Sequence, residues 1–230
     1  MKKILLFAAI LILLLCSCNQ DSTVAREQYY WMYAHLSEMW AQSLVHGDAE
    51  IAFFGDSRIV GADWYSAFPE EKVINLGVGG DRVGNLITRL SQVEILAKSG
   101  NLKKCFVAVG GNDCLSSKFD AGVFESEYEE LIKKFEGLGI TIYVNTIAGV
   151  SKQSSSLSES KIDMANDQMA RANDIIRSLA EKHGIECIEI AALMNNEDGS
   201  LKAQYAVEDG VHFSEEGNQI WFDTLSPYVE

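Results

Sequence analysis

Two stretches far apart in the chain hold residue types that could do chemistry together. Ser57 stands in Phe53-Phe54-Gly55-Asp56-Ser57-Arg58, and His212 in Glu208-Asp209-Gly210-Val211-His212-Phe213. A serine hydroxyl is a weak nucleophile and needs a general base, usually an imidazole that a carboxylate orients. Asp209 lies three residues before His212, so one tight turn can bring its carboxylate to the ring. Neither stretch decides the matter alone. Gly-Asp-Ser also reads as a strand-to-helix turn with Ser57 capping the next helix, and Asp-x-x-His as punctuation at a helix start. Among the other histidines, His35 and His46 lie on or beside a first helix upstream. His183 precedes Gly184 at a helix end, where a histidine commonly meets the last carbonyls.

Acyl transfer also needs hydrogen-bond donors aimed at the developing oxyanion. Gly79-Gly80-Asp81 and Gly111-Asn112-Asp113 each follow an expected strand, so both fall on the edge that carries Ser57. Taken singly, each is a turn, and an asparagine in such a turn is commonly there for its backbone tolerance.

The elements that must position these residues alternate along the chain. Apolar runs predict strands over residues 50–54, 72–76, 105–109, 140–145 and 185–190. Helices are expected over 82–98, 121–136, 161–183 and 214–225. Strands separated by helices imply right-handed βαβ units, a parallel sheet and ligand binding at the strands' carboxyl ends. The expectation is one three-layer α/β domain, flavodoxin-like, with a five-stranded parallel sheet and helices on both faces. A serine-rich stretch, residues 151–160, reads as a loop at that edge, either a mobile rim of the site or a solvated connection. Tyr29, Tyr33, Leu36, Trp40 and Leu44 recur at helical spacing and predict an amphipathic helix over 26–46.

The first 17 residues are set apart from this fold. Lys2 and Lys3 precede an apolar run from Ile4 to Leu15, the length of a signal-peptide core and short of a bilayer span. Leu15-Cys16-Ser17-Cys18 is similar to the lipobox of bacterial lipoproteins, which implies cleavage after Ser17 and lipid attachment at Cys18. The alternative is a plain secretory signal with incidental cysteines. Residues 18–25 then form a polar tether and 26–230 the folded domain. The chain carries 33 acidic and 19 basic side chains, a net charge of −14; without Lys2 and Lys3 the balance is −16. Such a surface repels nucleic acid and anionic headgroups, so a membrane contact would run through the lipid. Cys105, Cys114 and Cys187 are an odd set that excludes a complete disulfide framework. They read as structural, with no metal expected, since no histidine clusters with them at ligand spacing.

Gly-Asp-Ser, Gly-Gly-Asp, Gly-Asn-Asp and a late Asp-x-x-His occur in one order, each after an expected strand. The pattern resembles the SGNH (GDSL) hydrolases, spans residues 53 to 212, and is nearest their platelet-activating-factor acetylhydrolase-like branch. Val73 through Asp81, Arg89-Leu90, Asp209 through Phe213, Gly217 and Trp221 carry the branch likeness. The resemblance implies Ser57 as nucleophile, His212 as base, and Asp209 orienting His212. It implies an oxyanion hole from the amides of Ser57 and Gly80 and the Asn112 side chain, with Asp56 and Asp113 structural. Arg58 and Arg82 depart from the family's usual residues and would favour an anionic substrate at the site mouth. No Gly-x-Ser-x-Gly elbow surrounds Ser57.

The expected activity is serine ester hydrolysis through an acyl-enzyme, without metal or organic cofactor, on short acyl (O-acetyl) esters such as those on carbohydrate. The alternatives are a lysophospholipase or thioesterase and, in another class, a non-catalytic glycan-binding lipoprotein. The expected location is the periplasmic face or cell surface, anchored to a membrane. Oligomeric state is left open.

Overall fold

The computed structural model of the protein describes residues 47–229. The expected leader, Cys18, the tether and the helix over 26–46 with His35 and His46 lie outside these residues.

Strands β1 (Ile51–Gly55), β2 (Val73–Gly77), β3 (Lys104–Ala108), β4 (Thr141–Asn145) and β5 (Glu186–Ile188) pair in parallel in the order β2-β1-β3-β4-β5. This is the flavodoxin-like order, with its switch point between β1 and β3. Gly55 is level with Gly77 on one side and Ala108 on the other. The first three strands therefore end together, and their exits share one edge.

Helices α1 (Ser57–Gly61), α2 (Trp64–Ala67), α3 (Val83–Arg89), α4 (Ser91–Lys98), α5 (Gly111–Cys114), α6 (Ala121–Glu136), α7 (Glu159–His183), α8 (Ile190–Met194) and α9 (Glu215–Val229) complete the described elements with a 3₁₀ turn at Ala203–Tyr205. The helix expected over 82–98 divides into α3 and α4 at Leu90, which keeps α-region dihedrals, so the break is a step within one helical run. Of the four- and five-residue helices, α1 alone was considered, as the helix after Gly-Asp-Ser; α2, α5 and α8 are too short to display a helical period.

Alternation along the strands assigns the layers. Phe53 and Phe106 point to the face where Trp64, Phe68 and, from α9, Trp221, Leu225 and Val229 are buried. There the Phe53 ring stacks on Trp64 at 3.8 Å and on Phe106 at 5.2 Å. Phe54 points the other way, edge-on to Phe135 of α6. Each such side chain contributes on the order of 1.5–3 kcal/mol by leaving water. The sheet between these two helical layers is the rigid base of the edge that holds Ser57.

Candidate active site

β1 delivers Ser57 through a close passage. A Cβ on Gly55 would stand 2.0 Å from the Ala108 carbonyl oxygen, so only glycine lets the chain pass β3 here. Asp56 then caps α1, its Oδ1 accepting from the Arg58 amide at 3.0 Å, and Ser57 is the first helical residue. The capping role considered for Ser57 thus falls to Asp56, which leaves the serine side chain uncommitted to the cap. Burial pushes the Asp56 carboxyl up, and the neighbouring Arg58 charge opposes that.

The turn after β2 lies alongside. The Val78 amide donates to the Gly55 carbonyl at 2.9 Å, and a Cβ on Gly79 would come within 4.0 Å of Ser57 Cβ. Gly80 is exposed in this turn. Asn112, on α5 after β3, donates from Nδ2 to the Asp81 carbonyl at 2.9 Å. A carboxamide has two N–H groups, so this bond fixes Asn112 against the Gly79–Asp81 turn and leaves a second donor. Asp113 accepts from the Val83 amide at 3.4 Å, the structural role expected of it, and burial pushes its carboxyl up to about 6.

Beneath this turn is a polar group that the sequence reading assigned no role. Arg89 is buried, with Nε 2.6 Å from Asp81 Oδ2. Its Nη1 donates to the Leu76 carbonyl at 2.8 Å and to Gln92 Oε1 at 3.0 Å, and its Nη2 to the Gly55 carbonyl at 2.7 Å. One guanidinium therefore ties the ends of β1 and β2 to the Gly79–Asp81 turn, lying over the Phe54 ring at 4.3 Å. Burial pushes Asp81 up and Arg89 down, and their ion pair works against both shifts.

His212 reaches the same point from the loop before α9. Its Nε2 is 2.9 Å from Ser57 Oγ, and its Nδ1 is 2.6 Å from Asp209 Oδ2. Asp209 Oδ1 accepts from the amides of Val211 at 2.7 Å and His212 at 3.0 Å, so the carboxylate is built into its own turn. Burial pushes the Asp209 carboxyl up. The hydrogen bonds from the His212 ring and from the His212 and Val211 amides outweigh it and hold the group below the usual carboxylate range. With Nδ1–H given to the aspartate, Nε2 presents a lone pair to the serine hydroxyl, the arrangement that lets an imidazole take its proton.

Arg58 departs from expectation. Its Nε donates to the Val211 carbonyl at 3.0 Å, Nη1 to Ala148 at 2.7 Å and Nη2 to Gly149 at 2.9 Å, and the group lies over the Phe213 ring at 4.6 Å. Its donors are turned into the protein, so it links the serine turn to the histidine loop and does not offer its charge to an anionic substrate. Arg82 remains exposed beside the Gly79–Gly80 turn.

The same Arg58 helps satisfy residues 147–150, the chain leaving β4. Asn173 pairs with both the N–H (2.6 Å) and the carbonyl (2.9 Å) of Ile147, and Asn166 does the same for Val150 at 2.7 and 3.0 Å. The Gly149 amide goes to Asn195 at 2.9 Å. Asn166 and Asn173 lie seven apart on the buried face of α7, in register with Ile162, Met169 and Ile176. Two amides in an apolar helical register were the available sequence signal for this support.

The serine-rich stretch is joined to the histidine loop. The carbonyls of Glu208, Asp209 and Gly210 all accept from it: Glu208 from Ser155 N at 3.0 Å and Oγ at 2.9 Å, Asp209 from Ser154 Oγ at 2.5 Å, and Gly210 from Ser151 N at 2.8 Å. His183, by contrast, sits at the far end of α7 between Glu136 (2.7 Å) and Glu129 (3.3 Å), pairing with side chains rather than helix carbonyls. Cys105, Cys114 and Cys187 are free thiols, and burial pushes Cys187 up to about 11 and the other two further.

Known proteins share the family and the fold. The GDSL-like lipase/acylhydrolase family model matches residues 43–220. A Streptococcus pneumonia protein named for platelet activating factor superposes with a TM-score of 0.76 at 19% identity, over 92% of this chain and 100% of its own. A GDSL-like lipase from Bacteroides thetaiotaomicron gives 0.71 at 16%, over 86% and 98%. An acetyl xylan esterase from Geobacillus stearothermophilus gives 0.60 at 16%, over 79% and 94%. No curated protein matches the sequence. With its parallel sheet, the serine at the end of β1 and a family match covering most of its length, the chain belongs to the GDSL-like lipase/acylhydrolase family and is a serine ester hydrolase.

Proposed function

We propose that the protein hydrolyses short acyl esters, O-acetyl groups on carbohydrate foremost, through an acyl-enzyme on Ser57. The observation that carries this reading is the unbroken contact from Ser57 Oγ to His212 Nε2 and from Nδ1 to Asp209. Ser57 Oγ attacks the ester carbonyl carbon as its proton passes to Nε2. The oxyanion meets the amides of Ser57 and Gly80 and the free N–H of Asn112. As the carbon–oxygen bond to the alcohol breaks, His212 returns the proton to the leaving oxygen. Water then attacks the acyl-serine by the same route, and the carboxylic acid departs. Asp209 holds the ring and stabilises the imidazolium throughout.

The openness of the site supports a short acyl group on a bulky alcohol, since the side chains of His212 and Asp209 are 44% and 38% exposed. Two of the similar structures are acetyl xylan esterases, which fits the same choice. The experiment is labelling with a fluorophosphonate, followed by rates on acetylated glycans and on esters of graded acyl length. The expected outcome is labelling that Ser57→Ala abolishes while circular dichroism stays native, with rates falling beyond a few carbons. An unlabelled folded protein would support the glycan-binding reading, and faster turnover of a C8 ester than of acetate would move the substrate to lipids.

The location is inferred from Leu15-Cys16-Ser17-Cys18. A lipid on Cys18 would hold the domain at a membrane, facing the periplasm or the cell exterior. Among the described residues, no helix is long and apolar enough to cross a membrane. Cys18→Ala should release the protein into the soluble fraction; unchanged retention overturns the anchor.

A further inference from the structure

Glu208 and Asp209 lie at the surface of their turn and Gly210 is buried, so water could satisfy the first two of their carbonyls. Instead three consecutive carbonyls, those of Glu208, Asp209 and Gly210, accept from residues of one segment, 151–156. Asp209 contributes from both ends. Its carbonyl accepts the hydroxyls of Ser154 at 2.5 Å and Ser156 at 3.1 Å, while its carboxylate holds His212.

The two backbones are also pressed together. Gly210 is left-handed at φ 75°, and a Cβ on it would stand 2.5 Å from Ser154 Cβ. The segment is braced on its other side, where Asn166 grips Val150 and Lys152 reaches Asp198 at 2.7 Å. Ser154 Oγ in turn accepts from the amides of Ser156 at 3.3 Å and Leu157 at 3.2 Å, which fixes the direction in which its hydrogen points.

We propose that Ser154, supported by Ser155 and Ser156, is a positioning residue for ester hydrolysis: by holding the Asp209 carbonyl it sets where the Asp209 carboxylate, and through it the His212 ring, stands against Ser57. The inference rests on the serine-hydrolase reading of the site. A carbonyl bound only by water lets the Asp209–Gly210 peptide rotate further, within a turn that the Gly210–Val207 and Val207–His212 backbone bonds still close. Such rotation displaces the carboxylate, and a displacement of about 1 Å at a reacting group costs up to about a hundredfold in rate. The serines would then act on kcat and leave substrate binding almost untouched.

The test is a double-mutant cycle in the full-length protein, with kcat and KM on a short acyl ester and fluorophosphonate labelling of each variant. Ser154→Ala should lower kcat about tenfold with KM within about twofold. In an Asp209→Asn background the same substitution should cost less than about twofold, because the group it positions is already impaired. A support unrelated to Asp209 would cost the same in both backgrounds, and that result overturns the inference, as does wild-type kcat in Ser154→Ala. Should Ser154→Ala fail to fold, Ser156→Ala, an exposed hydroxyl on the same carbonyl, carries the cycle with the same criteria. Labelling of the wild type at Ser57 separates the two levels: if it is absent, the hydrolase reading falls; if it is present while the cycle is additive, only the serine inference does.

Discussion

The site has two halves that are held in different ways. The nucleophile half, Ser57 with the Gly79–Asp81 turn and Asn112, stands on the ends of β1, β2 and β3 and is tied from below by the buried Arg89–Asp81 pair. The acid–base half, Asp209 and His212, lies on a half-exposed loop and is held from the side by Arg58 and three consecutive carbonyl contacts to the serine segment. The first half is exposed at Gly79 and Gly80 but stands on a buried ion pair, Arg89–Asp81, which lacks water to fall back on. The second is placed by directed hydrogen bonds whose loss water can partly repair. Equal-looking contact lists therefore carry unequal energies, and damage to the first half should exceed the about tenfold expected from loosening Ser154.

The largest effect is expected at Arg89. Arg89→Leu leaves Asp81 buried without its partner and strips a donor from the Gly55 and Leu76 carbonyls. Chemical unfolding should show a loss of roughly 3–5 kcal/mol. A loss below about 1 kcal/mol would place this network among the weakly coupled ones and remove the contrast between the halves.

Next comes Asn112. If its second N–H meets the oxyanion, Asn112→Ala should lower kcat about a hundred- to a thousandfold, or roughly 3–4 kcal/mol, with KM nearly constant. Asn112→Asp should be lower still, because a carboxylate repels the developing charge. Both variants keeping more than about a third of wild-type kcat, a change under 1 kcal/mol, would make Asn112 only a tie to the Asp81 carbonyl.

The third effect concerns pH. Burial raises Asp113 from 3.8 to about 6, so the folded chain binds its proton more tightly than the unfolded chain does. For a carboxyl shifted upward, stability falls as pH rises between those values. The group thus costs up to about 3 kcal/mol at neutral pH that is absent below pH 4. Asp113→Asn, which keeps an oxygen for the Val83 amide, should gain on the wild type between pH 4.5 and 7 in urea unfolding. Parallel stability profiles for the two proteins would show that Asp113 is effectively solvated.

Much of this was legible in the sequence because it is local. The five strands were visible as apolar runs, and the sheet class follows from their alternation with helices. Ser57, Gly80 and Asn112 stood in short motifs beside strand ends, and Asp209 and His212 in one just before the last helix. What stayed hidden depends on distant partners. Arg58 read as a free charge because its acceptors, Ala148, Gly149 and Val211, are backbone carbonyls that no side-chain pattern advertises. Arg89 was noticed only as part of a motif, since its acceptors at Gly55 and Leu76 are likewise main chain. The serine segment looked featureless for the same reason: its specificity lies in hydroxyls meeting carbonyls more than fifty positions away.

The amides that grip residues 147–150 have a consequence outside catalysis. A stretch of extended backbone with open N–H and C=O groups is a template on which another chain can add a strand, the usual beginning of aggregation. Here Asn173 and Asn166 each meet one residue with a donor and an acceptor together, as the peptide group of a neighbouring strand would. Arg58 and Asn195 take most of what remains. The chain leaving β4 is in effect already paired, with carboxamides standing in for a strand, so no second molecule can zip onto it.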